Sequence, residues 1–199
     1  MRLVPCYRRA DASAPDGACV RLDDASEPEA LAGKTGLWLE SFDPRATRRG
    51  ARLVARPVLN SLWLDEALWE RYASALSRFD KIVLMPYRPG EASQRFEANL
   101  RDAWAWADAH GIALERRIVD VCVLPKRLAS DVSIYGERAA AVRALGAASC
   151  GGVHNYVHGE PPEALPEAWA AFDALGLDFG LVGAAAARRY GLPPGRVRG

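Results

Sequence analysis

Short apolar runs alternate along this chain with longer stretches whose apolar residues recur at helical spacing. The clearest short runs are GLWLE (36–40), ARPVLN (55–60), KIVLMP (81–86), RIVDVCVLP (117–125), SCGGVHN (149–155) and DFGLVG (178–183). Each is predicted as a strand, bounded by polar or Gly/Pro turns. Two weaker runs, RLVPC (2–6) and ACVRL (18–22), precede them and bring the expected count to eight. Helical periodicity covers residues 64–79, 92–111, 137–146 and 165–176. The first carries Asp65 and Glu66 where carboxylates favour the helix dipole. The second places Phe96, Leu100, Ala103 and Ala107 on one stripe and stops at Gly111.

Strands alternating with helices through short connections imply a parallel sheet with helices outside it. Eight strands is the number that closes a (β/α)8 barrel. The early connections carry no long helical pattern, and 199 residues falls short of the roughly 250 typical of that barrel. The expected fold is therefore a compact α/β (β/α)8 TIM-like barrel, a single domain over 1–199, with reduced helices in its N-terminal half. A barrel completed by a partner and an open doubly wound sheet are the alternatives. No GxGxxG follows the first strand to support a dinucleotide-binding sheet.

Bulk composition removes several function classes. Half the residues are hydrophobic and 26% are charged, which suits a folded domain with a sizeable core. A net charge of +1 provides no global field toward nucleic acid or a membrane surface. No apolar run approaches the roughly 20 residues needed to span a bilayer. The N-terminal apolar run is broken by Pro5, Cys6 and Arg8, so it does not read as a signal peptide. Cys6, Cys19, Cys122 and Cys150 form no CxxC pair, and reduced thiols in a cytoplasmic protein are expected.

In parallel α/β folds, chemistry collects at the C-terminal ends of strands. Those ends supply Glu40, Asn60, Asp120 and Asn155. Strand alternation places Glu40 with Trp38 and Asn60 with Val58. It turns Val119, Val121 and Val123 toward the helices, and Ile118, Asp120 and Cys122 toward the interior. A single strand-end Asn or Asp usually caps the next turn. Four polar groups at matching strand ends point instead to a shared ligand, because each needs a partner once desolvated.

These motifs, ESFDPRAT, RPVLNSLW, RIVDVCVLP and GGVHNYVHG, together with KIVLMPY and LDFGLVGA, occur in one order over residues 36–183. The ordered series resembles the pterin-binding methyltransferases, relatives of dihydropteroate synthase that use methyltetrahydrofolate or methyl-tetrahydromethanopterin. The resemblance implies a (β/α)8 barrel that binds a reduced pterin and passes its N5-methyl group to a corrinoid on a partner protein. It implies that Asp120 accepts the N–H donors of the pterin's 2-amino-pyrimidinone edge in a charge-assisted fork. Asn60 matches an asparagine along the ring edge. Asn155 matches one near N5, where it favours the protonated state that leaves readily. Asp120 and Asn155 are thus the expected catalytic residues. Glu40, Asn60, Asp120, Asn155, His154 and Arg88 are the expected substrate contacts. A homodimer is a further expectation, since family members often pair.

Three departures stand out. Glu40 replaces a family aspartate, VDV at 119–121 lacks the family's proline after the acid, and the opening strand ends offer only Asp23 or Asp24. They keep a second reading open, a non-catalytic pterin-binding or assembly subunit. A third reading is a zinc-dependent hydrolase, with Cys150, His154 and His158 spaced C-x3-H-x3-H and Asp120 as a fourth ligand. Trp63, Trp69, Trp104, Trp106 and Trp169 read as packing or amphipathic surface. RATRRG (45–50) and RRYG (188–191) read as solvated charge, and 86–96 as a lid after the fifth strand, with Arg88 near the ligand.

Overall fold

The computed structural model describes residues 1–10, 12–22, 28–41, 43–91 and 95–192. Its strands are β1 (Arg2–Tyr7), β2 (Cys19–Arg21), β3 (Trp38–Glu40), β4 (Val58–Trp63), β5 (Lys81–Met85), β6 (Arg117–Asp120), β7 (Ala148–Gly152) and β8 (Phe179–Gly183). They form a closed parallel barrel in chain order, from β1 to β8. The fold is a compact (β/α)8 TIM barrel that closes with its own eight strands. Its helices are α1 (Pro44–Leu53), α2 (Glu66–Ala73), α3 (Phe96–Ala109), α4 (Ser133–Ala144), α5 (Val153–Tyr156), α6 (Ala164–Ala174) and α7 (Ala184–Arg189). Between β2 and β3 the described helical structure is a short 3-10 turn, Pro28–Leu31, so the first units are indeed pared down. Asp23 and Asp24 lie outside the described residues, as does part of the expected 86–96 lid.

The chain divides into two compact units, one of Met1–Pro5 with Val119–Gly199 and one of Cys6–Ile118. In the second, β2, β3 and β4 are in register through Cys19↔Trp38, Arg21↔Glu40 and Trp38↔Val58. Leu22 and Leu39 are fully buried on the face covered by α1. A Cβ on Gly50 of α1 would lie 2.9 Å from Leu22 Cδ1 and 3.2 Å from Leu39 Cδ1, so glycine allows the helix to sit down on that face. The stretch expected to be solvated charge is thus half-buried helix. Ala46, Thr47 and Gly50 face inward, while Arg45 and Arg49 point to solvent. Pro44 at the first helical position and Asp43 as N-cap, accepting from Arg45 N–H at 2.9 Å, start α1. Tyr72 of α2 donates its hydroxyl to Thr47 Oγ1 at 2.9 Å, locking the two helices together inside the packing layer.

In the first unit the core gathers Val121, Val123, Tyr135, Tyr156, Trp169, Phe172 and Leu177. Tyr135 and Tyr156 both meet the Phe172 ring at a centroid distance of 5.4 Å. Such contacts add about 0.5–1.5 kcal/mol each beyond area burial. Val121 and Val123 occupy the helix-facing side, as alternation predicted. Gly111, where the second helical stretch is expected to stop, has positive φ, as do Gly146 and Gly176 after later helices, which lets each helix stop without strain. Arg188 and Arg189 of the RRYG stretch end α7.

Candidate functional site

Asp120 is the last residue of β6, and the loop after it is built to hold it. Val121 donates its N–H to Cys150 O of β7 at 2.9 Å, a sheet bond that a proline at 121 has no N–H to make. The missing proline is therefore replaced by an extra rung between β6 and β7. Cys122 then turns to φ 55°, outside the strand region, and the strand ends at Asp120. That turn aims the Cys122 N–H at Asp120 Oδ1, 2.7 Å away. Arg138 of α4 donates to Val121 O at 2.8 Å and to Cys122 O at 3.2 Å, with its guanidinium 5.6 Å from the Tyr135 ring centroid. Tyr135 Oη accepts from Leu124 N–H at 3.0 Å.

Burial pushes the Asp120 carboxyl up to about 6, against the opposing pull of the Cys122 N–H and the Arg138 charge. Burial, and then the Asp120 charge, raise the Cys122 thiol well above its ordinary range, so it is no ready nucleophile. The sequence pointed to Asp120. It gave no signal for Arg138, which belongs to a helix and meets the loop only in three dimensions.

The GGVHN stretch divides at Gly152, where β7 stops and the short helix α5 begins. His154 and Asn155 are consequently both on a helical turn, and strand alternation does not set them apart. A Cβ on Gly152 would lie 2.6 Å from Asn155 Nδ2 and 3.1 Å from its Cγ, so glycine leaves the space that the amide occupies. A Cβ on Gly151 would instead lie 2.8 Å from Val123 Cγ2 and 3.1 Å from Leu177 Cδ2, inside the core. The two glycines serve opposite faces of β7. His154 Nδ1 lies 2.9 Å from Leu181 O of β8, and since a carbonyl only accepts, Nδ1 is the donor.

Cys150 is fully buried in β7, whereas His154 and His158 are exposed. Among the described residues no three His, Cys, Asp or Glu side chains come together to hold a metal. The C-x3-H-x3-H spacing is broken by the strand-to-helix change at Gly152, and the zinc reading is set aside.

In the other unit, Glu40 closes β3, but Asn60 lies inside β4, not at its end. The β4–β5 register shifts between Leu59 and Leu62, and the Asn60–Ser61 peptide is cis. The positive φ of Arg56 (52°) delays the start of β4, so the strand runs from Val58 and past the expected 55–60. Glu40 and Asn60 share the face of Trp38 and Val58, and Cys19, which the sequence did not single out as a site residue, joins them. Cys19 donates its thiol to Glu40 Oε2 at 3.8 Å and accepts from Asn60 Nδ2 at 3.6 Å. The sequence carried no signal for it, because only the β2–β3 register sets Cys19 beside Trp38. Arg88 forms ion pairs with Asp102 Oδ2 at 2.5 Å and Glu91 Oε1 at 3.7 Å.

A closed parallel barrel with polar groups at its strand ends defines the class of fold. No protein-family model and no curated protein sequence matches the chain. Solved structures do. A dihydropteroate synthase from Coxiella burnetii, in complex with pteroic acid, is similar at 15% identity with a TM-score of 0.62, over 89% of this chain and 78% of that one. A dihydropteroate synthase from Xanthomonas albilineans with 4-aminobenzoic acid is 15% identical, with a TM-score of 0.61 over 95% and 90%. A Mycobacterium tuberculosis protein is 18% identical, with a TM-score of 0.60 over 98% and 94%. At these identities the likeness is one of fold. Among the described residues no helix is long and apolar enough to cross a membrane.

Proposed function

We propose that this barrel binds a reduced pterin at the adjacent C-terminal ends of β6 and β7. The half-buried Asp120 carboxylate carries the reading. An acid held at a strand end by the Cys122 N–H, and still open on one side, is suited to a ligand with paired N–H donors. The 2-amino group and neighbouring ring N–H of a pterin supply such a pair, in a charge-assisted fork. The pteroic acid in the similar dihydropteroate synthase from Coxiella burnetii carries a pterin ring and supports a ligand of this class.

The finer proposal is methyl transfer from an N5-methyl pterin of the folate or methanopterin type. Asn155, placed by Gly152 on the turn after β7, holds a proton at N5 so that the ring nitrogen leaves as a neutral amine. Asp120 fixes the ring's orientation. A corrinoid on a partner protein supplies the cobalt nucleophile that accepts the methyl group. His154, on the same turn, is a further ligand contact.

The test is calorimetric titration of the protein with methyltetrahydrofolate and with a methanopterin analogue, repeated on Asp120→Ala. Binding that disappears in the variant supports the pterin site. Transfer of a labelled methyl group to free cob(I)alamin then separates an enzyme from a pterin-binding subunit without activity. Glu40→Ala and Asn60→Ala form separate arms, because these residues belong to the other unit.

A further inference from the structure

We propose that Cys6 and Cys19 are an oxidation site that closes reversibly into a disulfide. Cys6 of β1 and Cys19 of β2 are direct partners in the parallel register. Directly paired residues of neighbouring strands point to the same side, with a strand spacing of about 4.8 Å. That spacing falls within the roughly 4.4–6.8 Å between Cα atoms that disulfides span. The Cys6 thiol is close enough to Cys19 to hold the Cys19 thiol in its neutral form. Neither is in a disulfide; Cys6 is half-exposed and Cys19 buried. This proposal does not depend on the pterin reading.

The exposures divide the work between the sulfurs. Cys6 meets an oxidant from solvent first. The neighbouring Cys6 thiol, and then burial, hold the Cys19 thiol well above the ordinary cysteine range, so Cys19 is not the group that attacks first. With a peroxide, Cys6 S–H gives up two electrons and becomes a sulfenic acid, and the peroxide is reduced to water. The Cys19 sulfur then attacks the Cys6 sulfur. The S–S bond forms as the S–O bond breaks, and hydroxide leaves with the Cys19 proton as a second water. With a small disulfide such as glutathione disulfide, Cys6 forms the mixed disulfide first and Cys19 then displaces the second glutathione thiol.

Closure consumes the Cys19 S–H that donates to Glu40 Oε2. The sulfur that accepts from Asn60 Nδ2 becomes part of a disulfide. Oxidation therefore rewrites the hydrogen bonding of two strand residues that the sequence singled out.

The experiment treats the folded, full-length protein with glutathione disulfide or dilute hydrogen peroxide. Free thiols are then blocked with N-ethylmaleimide, and tryptic peptides are mapped by mass without reduction. The expected result is peptide 3–8 joined to peptide 10–21 with the loss of two hydrogens, released by dithiothreitol. In Cys19→Ser, Cys6 is expected to stop at the glutathione adduct or at higher oxides. Three outcomes overturn the proposal. They are a wild-type protein in which Cys6 carries an adduct while Cys19 remains free, one in which both thiols stay unmodified, and one whose linkages run to Cys122 or Cys150.

Discussion

The backbone N–H of Cys122 points straight back at Asp120 Oδ1, 2.7 Å away, and it does so because Cys122 adopts a φ of 55°. One donor does not offset the burial of a carboxylate, and the Asp120 carboxyl is pushed from 3.8 up to about 6. A raised acid pKa means that the folded protein binds more protons than the unfolded chain between those two values. Stability must then fall as pH rises through that window, by on the order of 2 kcal/mol. Asp120→Asn keeps the oxygen that accepts from Cys122 and removes the charge. Chemical denaturation should find this variant close to wild type near pH 4 and more stable by about 1–2 kcal/mol at pH 7.5. Equal stability at both pH values would mean that Asp120 is well solvated.

Gly152 and Asn155 make a second test. An alanine at 152 places its Cβ 2.6 Å from Asn155 Nδ2, and the exposed amide is free to swing away. Gly152→Ala should therefore cost under about 1 kcal/mol of stability, because only the end of an exposed, flexible side chain must move. It should weaken pterin binding about tenfold or more, since the amide is displaced from its place. Parallel measurement of melting temperature and calorimetric affinity checks this. Unchanged affinity would remove Asn155 from the site.

Gly151 should behave in the opposite way. Its added methyl would meet Val123 Cγ2 at 2.8 Å, Leu177 Cδ2 at 3.1 Å and Val121 Cγ2 at 3.2 Å, all within a closed core. Overpacking of this kind typically costs about 1–3 kcal/mol. Gly151→Ala should unfold at lower denaturant concentration than Gly152→Ala. A melting point equal to that of wild type would show that the core around β7 yields easily.

The contrast between neighbouring glycines shows what the sequence could and could not tell. Eight strands, their parallel order and the helix-ending glycines were legible, because each depends on local apolar periodicity and backbone preference. So were the faces shared by Glu40 with Trp38 and by Asn60 with Val58. Helix α1 was not, because RATRRG hides its buried stripe of Ala46, Thr47 and Gly50 among three arginines. The end of β6 at Asp120 was also hidden. Alternating valines continue to Val123, and only the turn at Cys122 breaks the strand. Cys19 and Arg138 reach their partners from other elements, through contacts that no local pattern encodes.

Helix α1 can be tested through Tyr72, whose hydroxyl donates to Thr47 Oγ1 at 2.9 Å in a buried setting. Thr47 keeps a second bond, donating to Asp43 O at 3.3 Å, so removal of the tyrosine hydroxyl leaves no fully orphaned group. Tyr72→Phe should then cost about 1 kcal/mol, the ordinary value of a net hydrogen bond. Thr47→Val orphans the Tyr72 hydroxyl instead and should cost more, about 1–3 kcal/mol. Denaturant midpoints of the two variants give the order. The reverse order would mean that the tyrosine hydroxyl reaches water.

Pterin affinity should itself report the Asp120 titration. Two N–H donors require an ionised carboxylate, because a protonated acid gives up an acceptor and turns a donor toward the ligand. With the free carboxyl at about 6, affinity should be level above pH 7 and fall about tenfold per pH unit well below 6. Asp120→Asn should abolish the slope and bind weakly throughout. The Cys122 thiol is held neutral by its raised pKa, so it does not produce the same profile. A His154→Gln control removes the imidazole from the comparison. Calorimetry between about pH 5 and 8 gives the curve. A flat profile in the wild type would mean that the ligand's donors are met by some group other than Asp120, and it would move the search to the strand ends of the other unit.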